Sequence, residues 1–191
     1  MRSLGAGLAA LLAAATLAAP AGARDAIDLL NLTLEPDLAG WLVGANSRLA
    51  TKEEEREFLA LADDAAARAF VERFWERRDP DPERAGNPVR ELAEQRAAEA
   101  DRRFSEPGAA GRRTDRGTIL VLHGEPKEIE HEPGDFKGEP PVEVWTYPKG
   151  SAPGLDGKKP EARYRFVTRG EATVFYVPGA RNLRPQSAPF Q

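Results

Sequence analysis

The sequence predicts an α+β domain in which about three N-terminal helices pack on an antiparallel sheet of about four strands. Between residues 51 and 104, apolar side chains recur at helical spacing, and the segments start at residues that commonly cap helices. After residue 117 the pattern changes to short apolar or alternating runs, rich in β-branched and aromatic residues. Because helices and strands are segregated along the chain, the simplest arrangement places the helices on one face of the sheet.

The first two predicted helices follow each other closely. Thr51 and Glu54 form the T-x-x-E pattern of a capping box, which starts a helix over 52–62. Asp63 or Asp64 caps the second helix, and Pro80 ends it. Apolar residues of the second helix fall on one stripe, which predicts an amphipathic core helix; the stripe contains Ala66, Phe70, Val71, Phe74 and Trp75.

A third helix is predicted after a loop over 79–86 that contains two Asp-Pro pairs. Asn87 serves as its cap and Pro88 occupies its first position, where a proline is well tolerated. The apolar side of this helix is rich in alanine. Such small side chains favour close packing against a neighbouring element.

Four segments are predicted to form strands, at 118–122, 142–147, 164–168 and 172–177. The first is a continuous apolar run, the next two alternate, and the last is rich in aromatic and β-branched residues. Arg169 and Gly170 separate the last two segments and favour a tight hairpin turn.

The rest of the chain completes the predicted organisation. Residues 1–23 are typical of a cleavable signal peptide, because Arg2 precedes an apolar stretch over 4–19 and small residues follow at 21–23. Residues 24–50 are interpreted as an entry segment, 51–178 as the α+β domain, and 179–191 as an extended tail containing proline. The apolar stretch is shorter than the roughly 20 residues that span a bilayer. With no cysteine to carry a lipid, the prediction is a periplasmic or secreted protein without membrane span or lipid anchor.

Charge argues against nucleic acid as a partner. The chain has 27 Lys and Arg residues against 31 Asp and Glu residues, a net charge of −4, whereas nucleic-acid binding requires a basic surface. Opposite charges alternate closely along the chain, which is typical of solvated helix faces and local ion pairs.

No recognised catalytic pattern is present. A hydrolytic triad requires a base beside a nucleophile, and only His123 and His131 are available as histidine bases. No serine lies in a G-x-S-x-G elbow. The phosphate-binding motifs G-x-x-x-x-G-K-[ST] and G-x-G-x-x-G are also absent from the sequence. The sequence therefore predicts no catalytic residues and no cofactor.

The segment that joins the two histidines contains candidate metal ligands. It contains ligand types that zinc accepts, including Glu125 and Glu128, and Asp135 follows it. Their spacing is not a recognised one, because His123 is expected to end a strand while the acids follow Pro126 on a turn. The prediction is a polar loop and no metal.

Two other hypotheses remain open. One is a glycosidase-like pair of carboxylates drawn from Asp79, Asp81, Glu83, Asp115 and the glutamates of the second helix. The other is a binding module, because Trp145 and Tyr147 share one face of a predicted strand. If that strand lay at a sheet edge, it could take an extended peptide by strand addition.

Aromatic residues and paired charges recur in three clusters, at 74–80, 103–106 and 111–117, with Trp145 beyond them. This set resembles the GWxTD domain of bacterial exported proteins, and the resemblance covers residues 38–178. Arg112 stands where the family name has Trp. The residues that match the family motif are Phe74, Trp75, Arg77, Arg78, Asp79, Pro80, Arg103, Phe104, Gly111, Thr114, Asp115, Arg116, Gly117 and Trp145.

The resemblance implies an exported module without an assigned activity. We therefore expect a non-catalytic binding or scaffold module of the cell envelope, whose partner is another envelope protein or a peptide. The alternative is an envelope hydrolase or carbohydrate-active enzyme that uses carboxylates. Arg77, Arg78 and Asp79 are interpreted as an ion-pair network that ties the helix end to the following loop, with the arginine planes stacked on Trp75 or Phe104. This network is expected to include the turn at 114–116.

Overall fold

The computed structural model describes residues 26–134 and 137–177, so the predicted signal peptide and tail lie outside the described residues. The described part begins with a 3₁₀ turn at Ala26–Leu29, and a second 3₁₀ turn lies at Gly111–Arg113. Its α-helices are α1 (Pro36–Ala39), α2 (Ala45–Leu49), α3 (Lys52–Leu59), α4 (Asp64–Glu76), α5 (Pro88–Phe104) and α6 (Asp115–His123). Its strands are β1 (Glu128–Glu132), β2 (Val142–Thr146), β3 (Arg163–Arg169) and β4 (Ala172–Phe175).

The predicted fold class is confirmed. The strands form one antiparallel sheet in the order β1-β2-β3-β4, and the helices precede them in the chain. In this order β2 is a central strand, whereas β1 and β4 are the edges. Within the described ranges, no helix is both long and apolar enough to cross a membrane.

Local capping signals account for α3, α4 and α5. The hydroxyl of Thr51 accepts a hydrogen bond from the N–H of Glu54, whose carboxylate accepts one from the N–H of Thr51. Asp63 caps α4, and Asn87 caps α5 with Pro88 in its first turn. Each cap satisfies N–H groups that have no partner inside the helix, which is why these starts are visible in the sequence.

The predicted strand over 118–122 is wrong, because these residues form most of α6. Thr114 caps the helix by accepting a hydrogen bond from the N–H of Gly117 at 3.1 Å, and Gly124 ends it with a φ of 77°. Every residue from Gly117 to Leu122 is buried. Since no polar face interrupts the apolar run, the sequence pattern does not distinguish a buried helix from a buried strand.

The first strand of the sheet is instead Glu128–Glu132, which the sequence analysis placed on a polar turn. Four of its five residues are exposed, and Ile129 is its only apolar residue. An exposed edge strand carries no alternation of buried apolar residues, so its sequence resembles a loop. His123 accordingly ends a helix and not a strand.

Two clusters of buried side chains form the core. One lies between the entry segment and helices α3 and α4, and includes Leu42, Phe58, Phe70, Phe74 and Trp75. The other joins α5 and α6 to the sheet, and includes Phe104, Leu120, Trp145, Tyr147 and Phe166. The motif aromatics thus divide between both clusters.

Candidate functional site

The motif residues at the end of α4 converge on one carboxylate. Arg78 donates to both carboxylate oxygens of Glu54 at 3.0 and 2.7 Å, and Arg77 donates to Oε1 at 2.8 Å. Arg78 also donates to the carbonyl oxygens of Phe74 and Leu49. Its guanidinium carbon lies 3.5 Å from the centroid of the Phe74 ring. Arg78 therefore ties the end of α4 to the start of α3.

Glu54 is ionised in this environment. Burial acts to raise its pKa, but hydrogen bonds from Arg78, from the N–H of Thr51 and from Arg77 lower it to about 2. Because the folded pKa lies below the usual value for glutamate, the ionised form stabilises the fold. That contribution is present above pH 4.5 and is lost as the pH falls toward 2.

The glycines of the third motif cluster allow two close backbone approaches. A Cβ at Gly111 would lie 1.9 Å from the carbonyl oxygen of Ala100 in α5. A Cβ at Gly117 would lie 1.8 Å from the carbonyl oxygen of Gly111. The start of α6 thus packs directly on the 3₁₀ turn, and that turn packs directly on α5.

Asp115 links the start of α6 to the edge strand β4. Its Oδ2 accepts a hydrogen bond from the N–H of Phe175 at 2.7 Å. Two residues earlier in β4, the N–H of Thr173 donates to Oε1 of Glu106 at 2.9 Å. Burial raises the pKa of Asp115, although the hydrogen bond from Phe175 acts in the opposite direction.

These two carboxylates close the outer side of β4. The N–H of Tyr176 donates to the carbonyl of Arg165 in β3, and successive N–H groups of a strand point to opposite sides. The N–H groups of Thr173 and Phe175 therefore point away from β3, where another strand would otherwise pair. Both are occupied by side chains, so this edge offers no free donor at these positions.

The predicted network between the two charged clusters is wrong. Arg77 and Arg78 bind Glu54, whereas Arg116 pairs with Glu106 at 3.5 Å and with Glu143 at 3.3 Å. Asp79 accepts a hydrogen bond from the N–H of Asp81, on the other side of Pro80, and so stabilises the turn of its own loop. The two clusters pair with separate acidic residues, Glu54 for the first and Glu106 with Glu143 for the second, and not with each other.

The predicted stacking of the Arg77 and Arg78 planes on Trp75 or Phe104 is wrong, because Arg78 lies over Phe74 and other arginines lie over Phe104. The guanidinium carbons of Arg103 and Arg116 lie 4.8 and 4.9 Å from the centroid of the Phe104 ring. Arg103 also forms ion pairs with Glu99 and Glu125. Phe104 itself is buried and packs on Trp145 at a centroid distance of 5.5 Å.

Trp145 and Tyr147 are core residues. Both side chains are buried, and β2 is paired on both sides by β1 and β3. The indole N–H of Trp145 donates to Glu143 at 2.6 Å, and the hydroxyl of Tyr147 donates to the carbonyl of Gly124 at 2.7 Å. The hypothesis that this strand docks a peptide through its own edge is therefore wrong.

The two histidines lie in different environments. His123 stacks on Tyr164 at a centroid distance of 5.9 Å, and burial lowers its pKa, which favours the neutral ring. His131 is exposed on β1. Among residues 26–134 and 137–177, no three side chains of metal-binding type form a cluster; Asp135 lies outside these ranges.

Sequence reasoning missed the partners of the motif residues. Glu54 was assigned only a capping role, yet its two oxygens also bind Arg77 and Arg78. Glu106 lies within the second motif cluster, but nothing in the sequence indicates its hydrogen bond to the N–H of Thr173. Of these contacts, only the capping bond is local enough to be predicted from spacing.

The family model of the GWxTD domain matches residues 42–173, which is more than half of the chain. The chain therefore belongs to the GWxTD domain family, as the resemblance predicted. Gly111, Thr114 and Asp115 provide three of the four residues in the family name, and Arg112 occupies the position of the tryptophan. No curated protein and no solved structure matches the chain.

Proposed function

We propose that this member of the GWxTD domain family is an exported, non-catalytic module of the cell envelope that binds an extended basic peptide along β1. The observation that carries the proposal is the contrast between the two sheet edges. Glu106 and Asp115 occupy the outward N–H groups of β4. In the described part of the chain, β1 pairs with β2 on one side and has no strand on the other.

The roles of the motif residues support binding over catalysis. Thr114 caps a helix, Arg78 pairs with a carboxylate, and Gly111 and Gly117 allow backbones to approach closely. Asp115, a candidate for a hydrolytic carboxylate pair, accepts a hydrogen bond from the backbone of β4. The Asp115 carboxylate therefore binds the backbone of the edge strand β4.

The side chains of β1 favour a basic partner. Glu128 and Glu130 are exposed and lie on the same face of the strand, because side chains alternate along it. Glu132, on that face as well, already pairs with Arg163 and Arg165. A second copy of β1 would place like charges opposite each other, which is unfavourable. A strand with Lys or Arg at alternate positions would pair with Glu128 and Glu130.

The opposite face of β1 favours apolar residues between the basic ones. Ile129 is 43% exposed although it lies in register with Trp145 of the core. An apolar residue of an added strand would cover it and extend the apolar surface of the sheet. The partner is thus an extended segment in which basic and apolar residues alternate.

A fluorescein-labelled peptide of alternating lysine and valine should bind the chain without residues 1–23, as measured by fluorescence anisotropy. We expect Glu128→Lys/Glu130→Lys to weaken binding at least about tenfold, because attraction becomes like-charge repulsion. Glu76→Lys/Glu83→Lys is the matched control, since it makes the same charge change at exposed residues outside the sheet. Equal weakening by both double variants would show that net charge alone attracts the peptide, and the β1 site would be rejected.

Export is proposed from the pattern of residues 1–23. A basic residue, an apolar stretch and small residues before Arg24 are the features of a cleavable signal. The protein recovered from the envelope fraction of a bacterial host should have the intact mass of residues 24–191. A full-length mass in that fraction, or recovery from the cytosol alone, would contradict export.

A further inference from the structure

A cavity of about 160 Å³ lies between the entry segment and helices α4 and α5. Its volume is similar to the roughly 150 Å³ of an apolar cavity that holds benzene. Small side chains make the space, because Ala93 and Ala97 of α5 and Gly40 of the entry segment line it. The alanine-rich face of α5 thus leaves room at this place.

Arg113 supplies a cation to the cavity. Its Nη2 donates to the carbonyl oxygen of Asp37 at 3.2 Å. In the part of the chain that the structure describes, no carboxylate lies within ion-pair distance of it. Arg112, the neighbouring arginine in the lining, is instead paired with Asp101 at 2.5 Å. Arg113 therefore keeps donors that a ligand carboxylate would accept from.

Gly40 sets the position of this guanidinium. A Cβ at residue 40 would lie 2.6 Å from Nη1 and 2.7 Å from the guanidinium carbon of Arg113. A side chain at position 40 would therefore displace the guanidinium from the backbone of the entry segment. The close approach to Gly40 and the hydrogen bond to Asp37 place the cation at the wall of the cavity.

Apolar surface forms much of the rest of the lining. Trp75 and Val71 contribute from α4, and Val121 contributes from α6. Trp41 is half-buried beside them and packs on Phe74 at a centroid distance of 4.8 Å. A ring or branched alkyl group placed here would lose water-exposed apolar area on several sides.

Two acidic residues also line the cavity. Glu94 is paired with Arg90 at 2.7 Å, so its charge is already compensated. Asp37 is exposed at the rim and is suited to an ammonium group. A ligand with a carboxylate for Arg113 and an ammonium for Asp37 would satisfy both.

We propose that this cavity binds a small carboxylic acid whose apolar part is about the size of a phenyl or isobutyl group, with Arg113 holding the carboxylate. Apolar α-amino acids belong to this class. The site is separate from β1, so it does not depend on the proposed peptide binding. The position that gives the family its tryptophan lines the cavity here as Arg112, whose charge is paired with Asp101.

Binding can be tested by titrating residues 24–191 with phenylacetate, phenylalanine and phenethylamine while recording amide NMR shifts. We expect phenylacetate and phenylalanine to bind with a Kd of about 1 mM, an affinity that ligands of this size can reach. Shifts should be centred on residues 40–46 and 112–113. Phenethylamine lacks the carboxylate and should not saturate.

Two variants test the site by different routes. Arg113→Gln should weaken phenylacetate at least about tenfold, the loss of one charge-assisted pair. Ala97→Leu should fill the cavity and prevent binding while α5 remains helical. Arg102→Gln is the control, because Arg102 is an exposed arginine that pairs with Glu99 on the surface of α5.

The proposal is overturned if neither carboxylate saturates at ten times that concentration, or if phenethylamine binds as well as phenylacetate. Unchanged binding in a folded Arg113→Gln variant would also overturn it. If the Arg113→Gln variant does not fold, the Ala97→Leu variant tests the proposal. Undiminished binding of phenylacetate by that variant would place the ligand outside the cavity and overturn the proposal.

Discussion

Replacing Gly117 by alanine should prevent the domain from folding stably. The added Cβ would lie 1.8 Å from the carbonyl oxygen of Gly111, 2.7 Å from its carbonyl carbon and 3.1 Å from the Cα of Arg112. All three neighbours are backbone atoms, so no side chain can rotate away to relieve the contact. The start of α6 would have to move off the 3₁₀ turn.

That movement would break further interactions. The N–H of Gly117 is the donor to the capping hydroxyl of Thr114, and the neighbouring Asp115 holds the N–H of Phe175 in β4. We therefore expect a loss of about 4 kcal/mol or more, at the far end of single-substitution effects. This approaches the lower end of the roughly 5 to 15 kcal/mol by which folded domains are stable.

Chemical denaturation followed by circular dichroism measures this effect, with Gly150→Ala as the control. A Cβ at Gly150 meets no atom within 4 Å, and its φ is not positive, so alanine there should leave the midpoint almost unchanged. A Gly117→Ala protein with the same midpoint as the parent would mean that the start of α6 packs differently from this description.

The part of the fold that the sequence predicts is the part stabilised by local interactions. The starts of α3 and α5 depend on side chains that bond backbone groups two or three residues away, at Thr51 and Asn87. Their amphipathic faces repeat with the helical period. Such information is contained in a short window of sequence.

The elements that were misassigned lack this information. All residues from Gly117 to Leu122 of α6 are buried, so the periodic contrast between a polar and an apolar face is missing. The strand β1 has the opposite property, because most of its residues are exposed. Burial or exposure on all sides depends on tertiary position, which a local pattern does not record.

The motif was identified from the sequence, but its contacts were not. Arg78 and Glu54 are separated by 24 residues, and Asp115 and Phe175 by 60. Many acidic residues in the chain could have paired with each arginine, and spacing alone does not choose among them. The closing of the β4 edge by Glu106 and Asp115 was unpredictable for the same reason.

Trp145→Ala should cost about 3 to 5 kcal/mol of stability, the usual range for removing a buried large aromatic side chain. Trp145 is 0% exposed in the central strand β2. Its ring packs between Phe104 and Phe166, at centroid distances of 5.5 and 5.2 Å. Removal would leave a cavity between α5 and the sheet.

Trp145→Phe separates packing from hydrogen bonding in the same measurement. It retains an aromatic ring but loses the N–H that donates to Glu143, a residue that Arg116 also binds. Because Glu143 keeps its arginine partner, we expect a smaller loss than for alanine, together with a modest cavity cost. Under conditions where both variants are folded, each should bind the β1 peptide as the parent does. The side chain of Trp145 lies in the core between the sheet and α5, and not at the β1 edge. Normal stability of Trp145→Ala with lost peptide binding would instead assign Trp145 to the binding surface and reject its place in the core.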